Sequence, residues 1–196
     1  MKTLYKHLKF TSNTLVVTPA AGMMEFYDGC WYITGTAKQR VIDRTGGVIV
    51  ATTTVADTTT ETTLWTEALS ANAMKVGRIY KLRCNGACSN GSASDDLTFN
   101  FYFGGTLVGT YNPAMGQLAA GAAWHADMEI TVRTTGDSGT CAVHSNFNIG
   151  GFSSHFAALY AIDTTVAGSV TLKVAWDAKK AANTISIYQG YLELKN

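Results

Sequence analysis

The residues able to do chemistry fall into a few short constellations. Cys84 and Cys88 lie in Cys-Asn-Gly-Ala-Cys, a spacing that offers two zinc ligands. The other cysteines, Cys30 and Cys141, supply no second pair at comparable spacing. Asp127 and Glu129 sit at i and i+2, as paired glycosidase carboxylates can. His125 and His144 are candidates for a proton relay or a shared metal. Gly136-Asp137-Ser138-Gly139 has the form of a serine-protease nucleophile loop, and Asn90-Gly91-Ser92 ahead of Asp95-Asp96 has the oxygen-rich look of a calcium loop.

The elements that must position these groups argue against catalysis. Trp124, Ala126, Met128, Ile130 and Val132 alternate with polar residues and read as a strand with one wet face. Cys141, Val143, Ser145, Phe147 and Ile149 read as the inward set of the returning strand, with the 136–139 turn between the two. Setting Gly136 opposite Gly139 pairs Val132 with Val143 and Met128 with Phe147. It also puts His144 opposite Thr131, about 20 Å along the strands from His125, so neither relay nor metal is expected. Cys141 then becomes an inert buried thiol, and the serine of the turn has no matching His and Asp. The 90–96 loop lacks the regular ligand spacing of a calcium loop and reads as a turn capping the next strand. No catalytic residue, metal site or cofactor is expected, and the chain reads as a non-enzyme.

Period-two alternation recurs from about Thr63 onward. In the clearest run Leu97, Phe99, Phe101 and Phe103 share one face, and Gly104-Gly105 turns the chain back. That turn sets Phe101 opposite Val108, and Tyr102 opposite Leu107 on the other face, which is therefore read as apolar and as covered either by a loop folded over it or by an intersubunit contact. With strands near 64–69, 78–85, 124–133, 140–149, 170–176 and 185–194, the count is about eight antiparallel strands. The fold class is all-β, with a jelly-roll β-sandwich as the economical architecture. Residues 153–162 are ambiguous between a short helix and a long connection.

The first 50 residues differ. Leu15-Val16-Val17 and Met24-Glu25-Phe26-Tyr27 are short extended runs, and Asp28-Gly29 signals a hairpin returning through Trp31-Tyr32-Ile33. An isolated hairpin is marginal in water, so residues 1–50 are read as an extended attachment arm. Residues 51–62, rich in Thr, are read as a linker and residues 63–196 as the jelly roll. Phe26, Tyr27, Trp31 and Tyr32 are the arm's candidate anchors, each able to bury well over ~100 Å².

Composition sets the remaining limits. Across 196 residues, 46% hydrophobic and 15% charged content excludes the disordered class. A formal net charge of +1 offers no field for nucleic acid or an acidic membrane, so neither partner is expected. No apolar stretch approaches the ~18 residues that span a bilayer, and the N-terminal MKTLYKHLKF lacks the apolar core of a signal peptide. Synthesis in a cytosol and reduced thiols are the expectation.

Residues 8–44 resemble a segment of tail-fibre and other virion-surface proteins of tailed bacteriophages. The resemblance is carried by Leu8-Lys9-Phe10-Thr11, Thr18-Pro19-Ala20-Ala21-Gly22, Glu25-Phe26-Tyr27-Asp28-Gly29, Trp31-Tyr32-Ile33-Thr34 and the Arg40 region. The rest is similar to phage jelly-roll modules at Asn72-Ala73-Met74-Lys75-Val76-Gly77, Phe103-Gly104-Gly105-Thr106 and Asn183-Thr184-Ile185-Ser186-Ile187. The resemblance implies a virion structural protein, assembled in the host cytoplasm and exposed on the virion surface. It implies a homo-oligomer, with a trimer favoured, and other capsid or tail proteins as partners. Fibre proteins carry a long repetitive shaft ahead of the motif with which this sequence opens, so a decoration or cement-type module is expected over a free-standing knob. The alternative is a receptor-binding domain whose loops near 90–95 and 112–117 contact host surface glycans.

Overall fold

A computed structural model describes residues 24–27, 30–34, 39–43, 45–46, 48–49, 51–70, 73–113, 116 and 118–195, with side chains from Val48 onward. The chain divides into two compact units, one of Met1–Arg44 with the last two residues and one of Thr45–Leu194.

In the first unit β1 (Met24–Tyr27), β2 (Cys30–Thr34) and β3 (Gln39–Asp43) form an antiparallel sheet in that order. Tyr27 pairs with Cys30, so the expected hairpin forms around Asp28-Gly29. The third strand was not legible in the sequence. The expected run at Leu15-Val16-Val17 lies outside the described residues.

The second unit holds β4 (Thr45–Gly46), β5 (Thr53–Ala56), β6 (Thr62–Leu69), β7 (Ile79–Ser89), β8 (Leu97–Phe103), β9 (Thr106–Tyr111) and β10 (Ala122–Thr134). β11 (Gly139–Ile149), β12 (Phe152–Ile162), β13 (Gly168–Trp176) and all but the last residue of β14 (Thr184–Lys195) complete it. One sheet runs β12-β11-β10-β7-β14-β4, with β5 also on β14; the other runs β6-β13-β8-β9. Pairs β5·β14, β6·β13, β7·β10 and β8·β9 are antiparallel and nested in sequence, which is the wrapping of a jelly roll. β11 and β12 extend the first sheet beyond β10. The expected all-β jelly-roll sandwich is the observed fold.

Two stretches depart from the sequence reading. Residues 153–162 are neither helix nor connection but most of β12, whose alternation is blurred by Ala157, Ala158 and Ala161. Gly150 and Gly151, at φ +55° and +92°, supply the tight turn that returns the chain from β11. The Thr-rich stretch is not only a linker: β5 pairs with β14 through Thr53↔Ile187 to Ala56↔Thr184, and Val55 is buried.

Two registers also differ. β10 pairs Val132 with Cys141 and Met128 with Ser145, because the ladder shifts between Val132 and Thr134. The turn closes at Thr134↔Thr140, one position from the expected pairing, and the extra residue Arg133 adds a second, so the pairing moves by two positions and the faces are unchanged. In the β8–β9 hairpin Tyr102 pairs with Leu107 as expected, but Phe101 pairs with Gly109, since a second irregularity absorbs Val108. Gly109 makes room for Phe156: a Cβ there would lie 2.3 Å from the ring's Cζ.

The core lies between the sheets. Phe99 of β8 and Tyr111 of β9 meet Phe147 of β11 at ring-centroid distances of 4.4 and 4.1 Å, with Trp124 of β10 at 5.6 Å from Phe99. Each such aromatic, fully buried, contributes about 1.5–3 kcal/mol from apolar transfer alone.

Candidate functional site

The residues expected to form an intersubunit contact, Tyr102 and Leu107, lie on the outer face of the four-stranded sheet. That face is polar, which corrects the apolar reading. The Tyr102 hydroxyl donates to Glu61 Oε1 at 2.8 Å, Asn100 Nδ2 donates to the same oxygen at 2.7 Å, and Lys173 Nζ donates to Oε2 at 3.2 Å. Lys173 also sits 4.6 Å over the centre of the Tyr102 ring. Thr110 donates to Asn100 Oδ1, and the hydroxyls of Thr66, Thr171 and Ser169 form a second chain of hydrogen bonds on the same face. Leu107, opposite Tyr102, is exposed.

Burial by itself would raise the Glu61 carboxyl, but the donors on Asn100, Tyr102 and Lys173 outweigh it and hold the group below its ordinary value. The bond to Glu61, then burial, pushes the Tyr102 phenol up. Glu61, Asn100 and Lys173 escaped the sequence reading. The outward phase of the strand carrying Asn100 and Tyr102 was a signal for them, but Glu61 is brought in from 39 residues upstream.

On the outer face of the larger sheet, Asp127 is paired across the strands with Arg83, whose Nε donates at 2.7 Å. Glu129 stands between Lys81 on β7 and His144 on β11. The carboxylates thus lie among cross-strand charges. His144 faces Glu129 rather than Thr131, four residues from the position opposite His125, or about 13 Å along the strand. His125, His144 and His155 line an open groove with Asn146, Asn148 and Ser153. Among the described residues no three His, Cys, Asp or Glu side chains are placed to hold a metal.

Cys84, Cys88 and Cys141 are free and buried. Burial raises all three thiols, Cys88 to about 12 and Cys141 to about 11. Cys84, Gly86 and Cys88 are successive inward positions of β7, so the zinc-like spacing is two periods of a strand. Asp95 is buried rather than solvated, and Lys180 Nζ donates to its Oδ1 at 2.5 Å. Asn90 donates to Gly116 O and accepts from Leu118 N, while Asn183 Oδ1 accepts from Gly91 N. Asn90, Asn183 and one oxygen of Asp95 thus join these loops to one another, while the buried Asp95 Oδ2 has no hydrogen-bond partner among the described residues. The 136–139 turn is a hairpin tip, where Gly136 N donates to Thr164 Oγ1 at 2.8 Å.

In the small sheet the register sets Phe26 opposite Trp31 and Met24 opposite Ile33, so these positions share one face. Tyr27 and Tyr32 occupy the alternate phase with Glu25 and Cys30. The four candidate anchors are divided between two faces.

No family model matches the chain, and no curated protein matches it. Among solved structures it is similar to a lectin described as UEA-II complexed with galactose, at 11% identity and a TM-score of 0.32, covering 83% of this chain and 89% of that one.

Proposed function

We propose that this protein is a non-enzymatic structural module of a bacteriophage virion surface, joined to the particle through residues 1–44, with the jelly roll as its folded body. The observation that carries this reading is the division of the chain into a full sandwich and a small unit whose described strands have four or five residues each. So small a sheet has little apolar area to bury by itself and is stabilised by lying on another surface. Met24, Phe26, Trp31 and Ile33, at register positions on one of its faces, are the residues suited to that contact. The resemblance of residues 8–44 to phage virion-surface proteins supplies the setting, with capsid or tail proteins as partners and self-association, as a trimer, as its implication.

The test is incorporation into particles. Full-length chain is expected to co-purify with assembled virions, and a chain lacking residues 1–44 to remain free while still showing a cooperative unfolding transition. Normal incorporation of the truncated chain overturns the reading. Saturable binding of the truncated chain to a glycan array would move it to the receptor-binding alternative.

A further inference from the structure

We infer that β12 is a self-association edge, across which two copies of this chain pair antiparallel about a two-fold axis at Ala157. β12 ends the larger sheet, and among the described residues it is hydrogen-bonded on one side only, to β11. It has eleven residues, FSSHFAALYAI, with no proline and no Asp, Glu, Lys or Arg. A long exposed edge without charge or proline is a template for another strand, and monomeric sheet proteins break such edges up. The other edges are unlike it. β9 has six residues, β6 carries Glu67, and the far side of β14 is met by β4 and β5.

The hydrogen-bonding phase points to a second copy. Ile149 and Phe152 flank the two-glycine turn and so form a bonded pair, and the β11–β12 register continues unbroken to Gly139↔Ile162. Even-numbered residues of β12 therefore bond to β11. Ser153, His155, Ala157, Leu159 and Ala161 turn their N–H and C=O groups to the open side, and all five are exposed. Antiparallel self-pairing centred on Ala157 brings odd positions against odd positions along the whole strand. Ser153 meets Ala161 of the partner subunit, His155 meets Leu159 of the partner subunit, and Ala157 meets Ala157 of the partner subunit. On the order of ten backbone hydrogen bonds form, and no charged pair of like sign is opposed.

Pairing also covers apolar surface. Leu159 is 70% exposed and Phe152 44%. Leu159, Ala157 and Ala142 line a shallow groove on the outer face of the sheet, with Glu129, Thr131 and His144 across it. In the pair Leu159 is covered by His155 of the partner subunit. A two-fold contact of this kind closes on itself and cannot build a ring of three. It is thus separate from any three-fold contact and does not depend on the virion setting.

The experiment uses the full chain with Cys30→Ser. Light scattering on the purified protein is expected to give the mass of an even-numbered oligomer. Ala157→Asp, which opposes two like charges at the axis, is expected to raise the dissociation constant of the β12 contact by about tenfold or more. Ala157→Cys should cross-link under mild oxidation, because bonded partners lie about 5.5 Å apart at Cα, within disulfide reach. Ser153→Cys should not, since it stands about 27 Å along the strand from its own copy. A monomeric parent, an oligomer unmoved by Ala157→Asp, or cross-linking at 153 as ready as at 157 overturns the inference. Each of these results leaves the particle-incorporation test standing.

Discussion

At the scale of single residues, Glu61 gathers the outer face of the four-stranded sheet. It accepts from Asn100, Tyr102 and Lys173, which belong to two different strands, so its charge ties β8 to β13 from the start of β6. Because the folded carboxyl sits below its ordinary value, its stabilisation is fully present above the unfolded value near ~4.3 and is lost as pH falls through the folded value. Glu61→Gln keeps an acceptor but removes the charge facing Lys173. Partial exposure limits the cost, which we expect to be about 1 kcal/mol at pH 7. Urea unfolding of both proteins from pH 7 to pH 3 checks this. The gap should hold down to about pH 5 and narrow below it, and a gap independent of pH would assign the effect to shape rather than charge.

At the scale of elements, β7 shows why a motif can mislead and a period seldom does. The residues of Cys-Asn-Gly-Ala-Cys are small on the inward phase for steric reasons. A Cβ on Gly86 would lie 1.8 Å from Ser186 O and 2.9 Å from Trp124 Nε1, which itself donates to Ser186 O at 3.0 Å. The indole and the β14 backbone occupy the space a side chain would need. Gly86→Ala must push one of them away, and we expect a loss of about 3 kcal/mol or more. Thermal unfolding reads it directly, and a change under about 1 kcal/mol would show that β14 relaxes freely. The inward sets of β7, β8, β10, β11 and β13 were legible because burial imposes period two on their composition. Their registers were less so, since a bulge after Val132 or at Val108 is decided by the partner strand. The network around Glu61 was illegible for a related reason: its members meet only after β6, β13 and β8 have been laid side by side. β12 escaped because Ala and Ser satisfy a strand and a helix equally well at the level of pattern.

At the scale of the whole molecule, the nested pairing makes the outermost pair the closure of the fold, and that pair begins inside the Thr-rich stretch. β5 covers Ile185 and Ile187 of β14 at the level of the backbone, buries Val55, and joins Thr54 Oγ1 to Ser186 Oγ at 2.7 Å. Ile49 N donates to Gly190 O at 2.8 Å and its side chain packs on the core. The domain boundary therefore falls before residue 45 rather than at residue 63 or even residue 51. Three truncations separate these readings. Removing residues 1–44 leaves every strand of the jelly roll. Removing 1–50 takes β4 and Ile49, and removing 1–56 takes β5 as well, with the burial of Val55 and a four-residue ladder. The last deletion is expected to cost about 3–5 kcal/mol relative to the first, from one buried Val and several backbone bonds. For a domain of this size that corresponds to a Tm lower by roughly 10 °C, with the 1–50 deletion between the two. Equal Tm values for the 1–44 and 1–56 deletions would return residues 51–62 to the role of a linker and leave β14 as the true edge of the sheet.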